Sequence, residues 1–174
     1  NPTGAVYTKE ELKTLSDVLM KHPNILIGTD DMYEHVKLKD MPFYNILNVA
    51  PKLKDRCIVM NGVSKAYSMT GWRIGFAAGP SYIIKAMEIL QSQSTSNPTS
   101  ISQVAAEAAL SGDQACMEPM IRAFRERHAY VVKSFNEIPG LSCIEAQGAF
   151  YAFPDARKAI EHLYDQKILK EKTD

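Results

Sequence analysis

Apolar positions along this chain change period several times, and each change marks an element. Thr8 followed by Glu11 has the spacing of a capping box. It opens a helix to about Lys21, with Leu12, Leu15, Val18 and Leu19 on one side. His22-Pro23-Asn24 ends that helix. The run "ILIG", residues 25–28, is continuously apolar and predicts a strand buried on both faces. "RCIVMNG" (56–62) and "WRIGFAAG" (72–79) predict a second and a third strand, whereas "KLKDMPFYNILNVAPKLKD" (37–55) reads as a solvated loop. Helical spacing returns in "PSYIIKAMEILQSQ" (80–93), with Ile83, Met87 and Leu90 on one face. After the polar break "QSTSNPTS", a small-residue helix runs to Gly112. A long helix is predicted from about 114 to 138 on the stripe Met117, Ile121, Phe124, Val131 and Phe135. Pro119 is tolerated in its first turn, and Pro139-Gly140 stops it. "LSCIEAQGAFYAFPD" predicts two short strands around Gln147-Gly148, and "ARKAIEHLYDQ" a final helix.

Helices alternating with apolar strands imply an α/β fold with a mostly parallel sheet. The character changes at the long helix, from buried strands and helices to an amphipathic helix with hairpin-like strands. The expected division is residues 1–117 against residues 118–174.

Composition narrows the function classes. The chain has 174 residues, 45% hydrophobic and 23% charged, with Lys+Arg and Asp+Glu both at 20. That balance points away from nucleic acid and from a membrane surface. No apolar run approaches the roughly eighteen residues of a membrane helix. Cys57, Cys116 and Cys143 are odd in number and far apart. They read as buried small hydrophobes of a reducing compartment rather than a disulfide framework or metal site. His22, His35, His128 and His162 form no pair at metal spacing and read as surface or capping residues, so no metal is expected.

Ligands of parallel α/β sheets sit at the carboxyl ends of the strands. Asp30 and Tyr33 follow the first predicted strand, Lys65 follows the second, and Arg73 opens the third; Asn1 lies in a turn before the first helix. Taken singly, each has a plain structural reading: surface lysine, turn-capping aspartate, core tyrosine, surface arginine. Together they form a pattern. "NPTG", "DDMY", "GVSKAYSMTGWRIG" and "GAFYAFPD" occur in an order and spacing that resemble the class I aminotransferases, fold-type I enzymes that use pyridoxal 5′-phosphate. "NPTGAVY" and "LQSQSTSNPTSISQ" are most similar to the bacterial aspartate aminotransferase branch.

The resemblance implies a large domain with a mostly parallel sheet and the start of a smaller α+β domain. It implies Lys65 as the lysine that bonds the cofactor's aldehyde and moves the substrate proton. Asp30 would face the pyridine nitrogen, and Tyr33 and Asn1 the ring's phenolic oxygen. Arg73 would pair with the phosphate, with Ser64 adding a hydrogen bond. The substrates would be an L-amino acid, aspartate in the first instance, and a 2-oxo acid, in a cytoplasmic homodimer. "STSNP" (94–98) resembles a segment that reaches toward a neighbour's site. Trp72 is expected to pack under the lysine loop. Family members are considerably longer, so the chain reads as an excerpt that would not work alone. It lacks the glycine- and serine-rich phosphate turn upstream and the carboxylate-binding arginine downstream. The competing reading is a non-catalytic truncated piece, or a scaffold that keeps the motifs without activity.

Overall fold

The structure, a computed structural model, describes residues 1–172. The helices are α1 (Lys9–Leu19), α2 (Ile46–Val49), α3 (Ser81–Ser94), α4 (Ser100–Ser111), α5 (Met117–Asn136) and α6 (Arg157–Asp165). The strands are β1 (Ile27–Asp30), β2 (Cys57–Gly62) and β3 (Gly75–Ala78). The chain divides into two compact units. One joins Asn1–Ala5, Val36–Asp40 and the chain from Pro119; the other joins Val6–His35 and Met41–Glu118.

The second of these units holds the sheet, in the order β1-β2-β3. β1 pairs parallel to β2, with Ile27 opposite Cys57 and Asp30 opposite Met60. β3 pairs antiparallel, with Gly62 opposite Gly75 and Val59 opposite Ala78. The three described strands are therefore mixed rather than uniformly parallel. At Gly62 the two backbones come close enough that a Cβ would lie 3.1 Å from Gly75 Cα and 3.1 Å from Ile74 O, so this strand end admits only glycine without displacement.

α1 begins as its sequence dictates. The Thr8 hydroxyl accepts the Glu11 amide (3.2 Å), and Glu11 Oε2 accepts the Thr8 amide (2.7 Å). That hydrogen bonding also holds the Glu11 carboxyl below its ordinary pKa. No glycine closes the other end. Instead Arg56 donates to the carbonyls of Leu19 (2.6 Å), His22 (3.1 Å) and Ile25 (2.6 Å), the first two of which also accept the amides of His22 and Ile25.

β1 lies two residues later than its apolar run suggests, and Ile25 and Leu26 are exposed. The run is apolar, but its first half lies before the ladder with β2 begins. The supposed solvated loop is a larger correction. Asn45 caps α2 by accepting the Leu47 amide (2.7 Å), Pro51–Arg56 forms a 3-10 turn, and Ile46 and Leu53 enter the core with Leu12 and Cys57. Leu53 is 0% exposed. Its lysine neighbours on both sides point the other way, which is why the segment reads as polar. Leu53→Ala is expected to remove about 2–5 kcal/mol, as deep Leu truncations do. Urea unfolding of the full-length protein measures it, and a loss below about 0.5 kcal/mol would restore the loop reading.

In the other unit, α5 carries Phe124 stacked on Phe150, with ring centroids 5.5 Å apart. The predicted hairpin around Gln147-Gly148 is absent. The Gln147 and Gly148 amides donate to Gly4 O (2.9 and 3.0 Å), and the Ala149 amide donates to Val36 O (2.9 Å). Only isolated antiparallel bridges form, Lys37 with Gly148 and Ser142 with Asp155. The amides of residues 147–149 are spent on distant chain, and the segment's own pairing is limited to Ser142 and Asp155, which exchange both backbone hydrogen bonds. Gly4 (φ +72°) makes the approach possible, since a Cβ there would sit 2.4 Å from Ala146 Cβ. His128 is no surface histidine. Its Nε2 accepts the Ala146 amide at 2.9 Å, and burial lowers its pKa, favouring the neutral acceptor form.

Cys57 and Cys143 are buried as expected, but Cys116 is exposed. Trp72 is 43% exposed and so does not pack under the lysine loop as a core residue.

Candidate functional site

The carboxyl ends of β1 and β2 lie at one edge of the sheet because the two strands run parallel. Asp30 is the last residue of β1. Its Oδ1 accepts the Met32 amide at 3.2 Å, which starts a turn that the Glu34 amide closes onto Asp31 O at 2.9 Å. Tyr33 rides on this turn, half-buried.

Beyond β2, Val63 and Ala66 are buried and hold the next turn down. Ser64 and Lys65 between them are half-buried, and Lys65 O accepts the Ser68 amide at 3.3 Å. Small and apolar flanks thus hold the backbone while the lysine stays reachable. Lys65 Nζ lies 5.9 Å from the centroid of the Tyr33 ring, so the structure brings together two of the groups singled out in the sequence.

Arg73 precedes β3 rather than opening it. It ends the 3-10 turn Thr70–Trp72 at φ +49°, and its Nη1 donates to Thr70 O at 2.7 Å. Ser68, at φ +54°, brackets the same loop. A left-handed conformation in a non-glycine residue costs about 1–3 kcal/mol, so two within one loop mark a path fixed by more than local preference. The antiparallel direction of β3 decides where Arg73 lies. The start of β3 pairs with the end of β2, which puts Arg73 at the same sheet edge as Lys65. A parallel third strand would have sent it to the opposite edge.

The two neighbouring aspartates separate cleanly. Asp30 is exposed, whereas Asp31 is 7% exposed and turns into the fold, where Thr29 Oγ1 donates to it at 2.6 Å and the Asn45 side-chain amide donates as well. The thiol of Cys57 feels both burial and the charge on Asp31, and its pKa rises. Asn1 belongs to the other unit, where its Nδ2 donates to the Tyr151 hydroxyl at 3.1 Å.

Two groups at this edge escape notice in the sequence. Glu34 Oε1 accepts from Asn61 Nδ2 at 2.7 Å, tying the Tyr33 turn to β2. Tyr67 donates to Gln114 Oε1 at 2.6 Å, and burial, Cys116 and Glu34 all raise its phenol pKa. Glu34 stands directly beside Tyr33, and that adjacency is the one signal the sequence offers. Asn61 reads there only as half of an Asn-Gly turn. Among the described residues, no cluster of His, Cys, Asp and Glu could hold a metal ion, and no helix is long and apolar enough to cross a membrane.

At the carboxyl edge of this α/β sheet, the Lys65 amine lies near the Tyr33 ring, Asp30 ends β1, and Arg73 precedes the start of β3. The particular lineage is equally plain: the model for the family described as aminotransferase class I and II matches residues 1–173, and the chain belongs to that family. The aspartate/prephenate aminotransferase of Nitrosomonas europaea is 60% identical over 174 residues, which is 100% of this chain and 44% of that protein. The aspartate aminotransferase of Geobacillus stearothermophilus is 51% identical over 159 residues, 91% of this chain and 40% of that one. The crystal structure of the aspartate aminotransferase from Rhizobium meliloti superposes with a TM-score of 0.88 at 45% identity, covering 91% of this chain and 40% of that one. The chain thus spans less than half the length of these relatives.

Proposed function

We propose that the protein carrying this chain transfers an amino group between an L-amino acid, aspartate in the first instance, and a 2-oxo acid, with pyridoxal 5′-phosphate as cofactor. The observation that carries this reading is Lys65 Nζ at 5.9 Å from the Tyr33 ring, at the edge shared by the ends of β1 and β2. The donor set fits the cofactor: a half-buried amine for an aldehyde, a phenol beside it, an exposed carboxylate for a ring nitrogen, and a guanidinium for a phosphate. When bound, pyridoxal phosphate supplies an aldehyde that captures amino groups and a ring that accepts the electron pair left on the substrate's α-carbon.

Lys65 would bond the cofactor's aldehyde and, once displaced by the incoming amino acid, would carry the proton from the substrate's α-carbon to the carbon that had been the aldehyde. A lysine suits both tasks because its pKa responds to burial and to neighbouring charge. Asp30 holds a proton on the ring nitrogen. Tyr33 donates to the ring's phenolic oxygen and tunes the proton affinity beside Lys65. Arg73 grips the phosphate, helped by Ser64, and a planar guanidinium gives two parallel bonds there. For Asn1 the proposal rests on the "NPTG" motif alone.

The partition at residue 117 is proposed as the boundary between a partial cofactor-binding domain (1–117) and a partial small domain (118–174). The change of unit at Pro119 supports it, while Asn1–Ala5 and Val36–Asp40 group with the later unit. A cytoplasmic homodimer is proposed from the family and from the free thiols at Cys57, Cys116 and Cys143. The name of the Nitrosomonas relative supports aspartate as donor and prephenate, a 2-oxo acid, as one acceptor.

The test is a steady-state assay of the full-length protein with pyridoxal phosphate, L-aspartate and either 2-oxoglutarate or prephenate. The expected turnover is that of ordinary enzymes, about 10 per second. Cofactor capture without aspartate turnover overturns the substrate. Failure to capture cofactor overturns the class of reaction.

A further inference from the structure

We propose that Glu34 and Asn61 form a clamp that positions Tyr33 against Lys65, so that this pair, which need not touch substrate or cofactor, sets how well Lys65 captures an aldehyde. The inference rests on the functional reading above and adds a positioning pair to it.

The geometry is specific. Glu34 immediately follows Tyr33, and Asn61 is the penultimate residue of β2, just ahead of the lysine turn. Asn61 Oδ1 accepts the Gly62 amide at 2.7 Å. With its oxygen so engaged, the side-chain amide must present its NH2 to Glu34 Oε1, which it reaches at 2.7 Å. The donor and acceptor sense of the clamp is therefore fixed. His35 Nε2 lies 3.2 Å from the same Glu34 oxygen, and the phenol of Tyr67, two residues beyond Lys65, also feels the Glu34 charge. The carboxylate thus stands between the turn that carries Tyr33 and the turn that carries Lys65. The backbone bonds of the Tyr33 turn, Asp31 N to Met60 O (2.9 Å) and Glu34 N to Asp31 O (2.9 Å), fix the base of the turn and its closure. The clamp is the side-chain link from the turn's far end back to β2. Without it the far end of the turn that carries Tyr33 loses its side-chain tie to the strand that leads into the Lys65 turn.

The test exploits the fixed polarity. In the full-length protein, Asn61→Asp keeps the acceptor for Gly62 but sets carboxylate against carboxylate, and like charges at hydrogen-bond distance repel. The double variant Glu34→Gln with Asn61→Asp reverses the bond, the new amide donating to the new carboxylate. Two readouts are taken near neutral pH: the dissociation constant for pyridoxal phosphate, followed by visible absorbance, and hydrogen exchange of the Glu34 amide in cofactor-free protein. Asn61→Asp is expected to weaken cofactor capture and speed the exchange, each about tenfold, as the loss of a charged hydrogen bond predicts. The double variant is expected to return both to within about threefold of the parent. Unchanged capture and exchange in Asn61→Asp overturns the clamp. So does a double variant that stays as impaired as the single one, since residue 61 would then act alone. If the parent captures no pyridoxal phosphate, the functional reading falls, and the exchange of the Glu34 amide, with its rescue, still decides the clamp.

Discussion

Lys65→Ala is expected to abolish transamination in the full-length protein and to end covalent capture of pyridoxal phosphate. The lysine turn contains no second amine to stand in: between buried Val63 and buried Ala66, Lys65 is the single cationic side chain. The other groups proposed to hold the cofactor, Arg73 foremost, would remain, so binding should persist in weakened, non-covalent form. Hydride reduction of the parent protein, followed by peptide mapping, should place the label on Lys65. A label on any other lysine would sink the assignment. The alanine variant should yield no labelled peptide. The fold should survive, because the turn is anchored by its apolar flanks and not by the amine.

The second large effect separates two adjacent carboxylates. Asp30→Asn is expected to cost several powers of ten in turnover, at about 1.4 kcal/mol for each power, because an amide no longer keeps the ring nitrogen protonated and the electron pair on the α-carbon loses its acceptor. Asp31→Asn should be mild in rate. Asp31 is committed to Thr29 and Asn45, the latter the cap of α2, and it is buried. Its loss should appear as instability instead: Asp31→Ala takes the acceptor from the half-buried Thr29 hydroxyl and the Asn45 amide, at about 1–3 kcal/mol. Measuring kcat and the urea midpoint for both positions checks the division. A large rate loss at Asp31 with little at Asp30 would reverse the assignment.

What the sequence made legible, and what it hid, follows the reach of each interaction. α1 is set by Thr8 and Glu11, neighbours on one turn, and its start is readable from four consecutive letters. β2 is nearly right because its apolar run starts directly after Arg56 and passes into Asn61-Gly62, the last two residues of the strand. α2 is invisible: four residues cannot show a helical period, and the burial of Ile46 and Leu53 depends on α1 and β2 folding over them. The segment from Cys143 to Asp155 carries strand-like letters, yet the amides of Gln147, Gly148 and Ala149 answer to Gly4 and Val36, far off in the chain. Lys65, Asp30, Tyr33 and Arg73 stand out as a motif. The direction of β3, which puts Arg73 on the lysine edge, and the bond from Glu34 to Asn61 exist only once the strands are paired.

Arg56 has a different kind of consequence. Its guanidinium holds carbonyl oxygens of Leu19, His22 and Ile25, and carbonyls are the same on every residue. The arginine therefore recognises the path of the chain between α1 and β1 and is indifferent to which side chains line it. Descendants of this sequence are free to rewrite residues 20–26 so long as the route is kept, while position 56 is not free to drift. Even lysine would fail there, because one ammonium on a flexible stem cannot span three oxygens that a planar fork reaches at once.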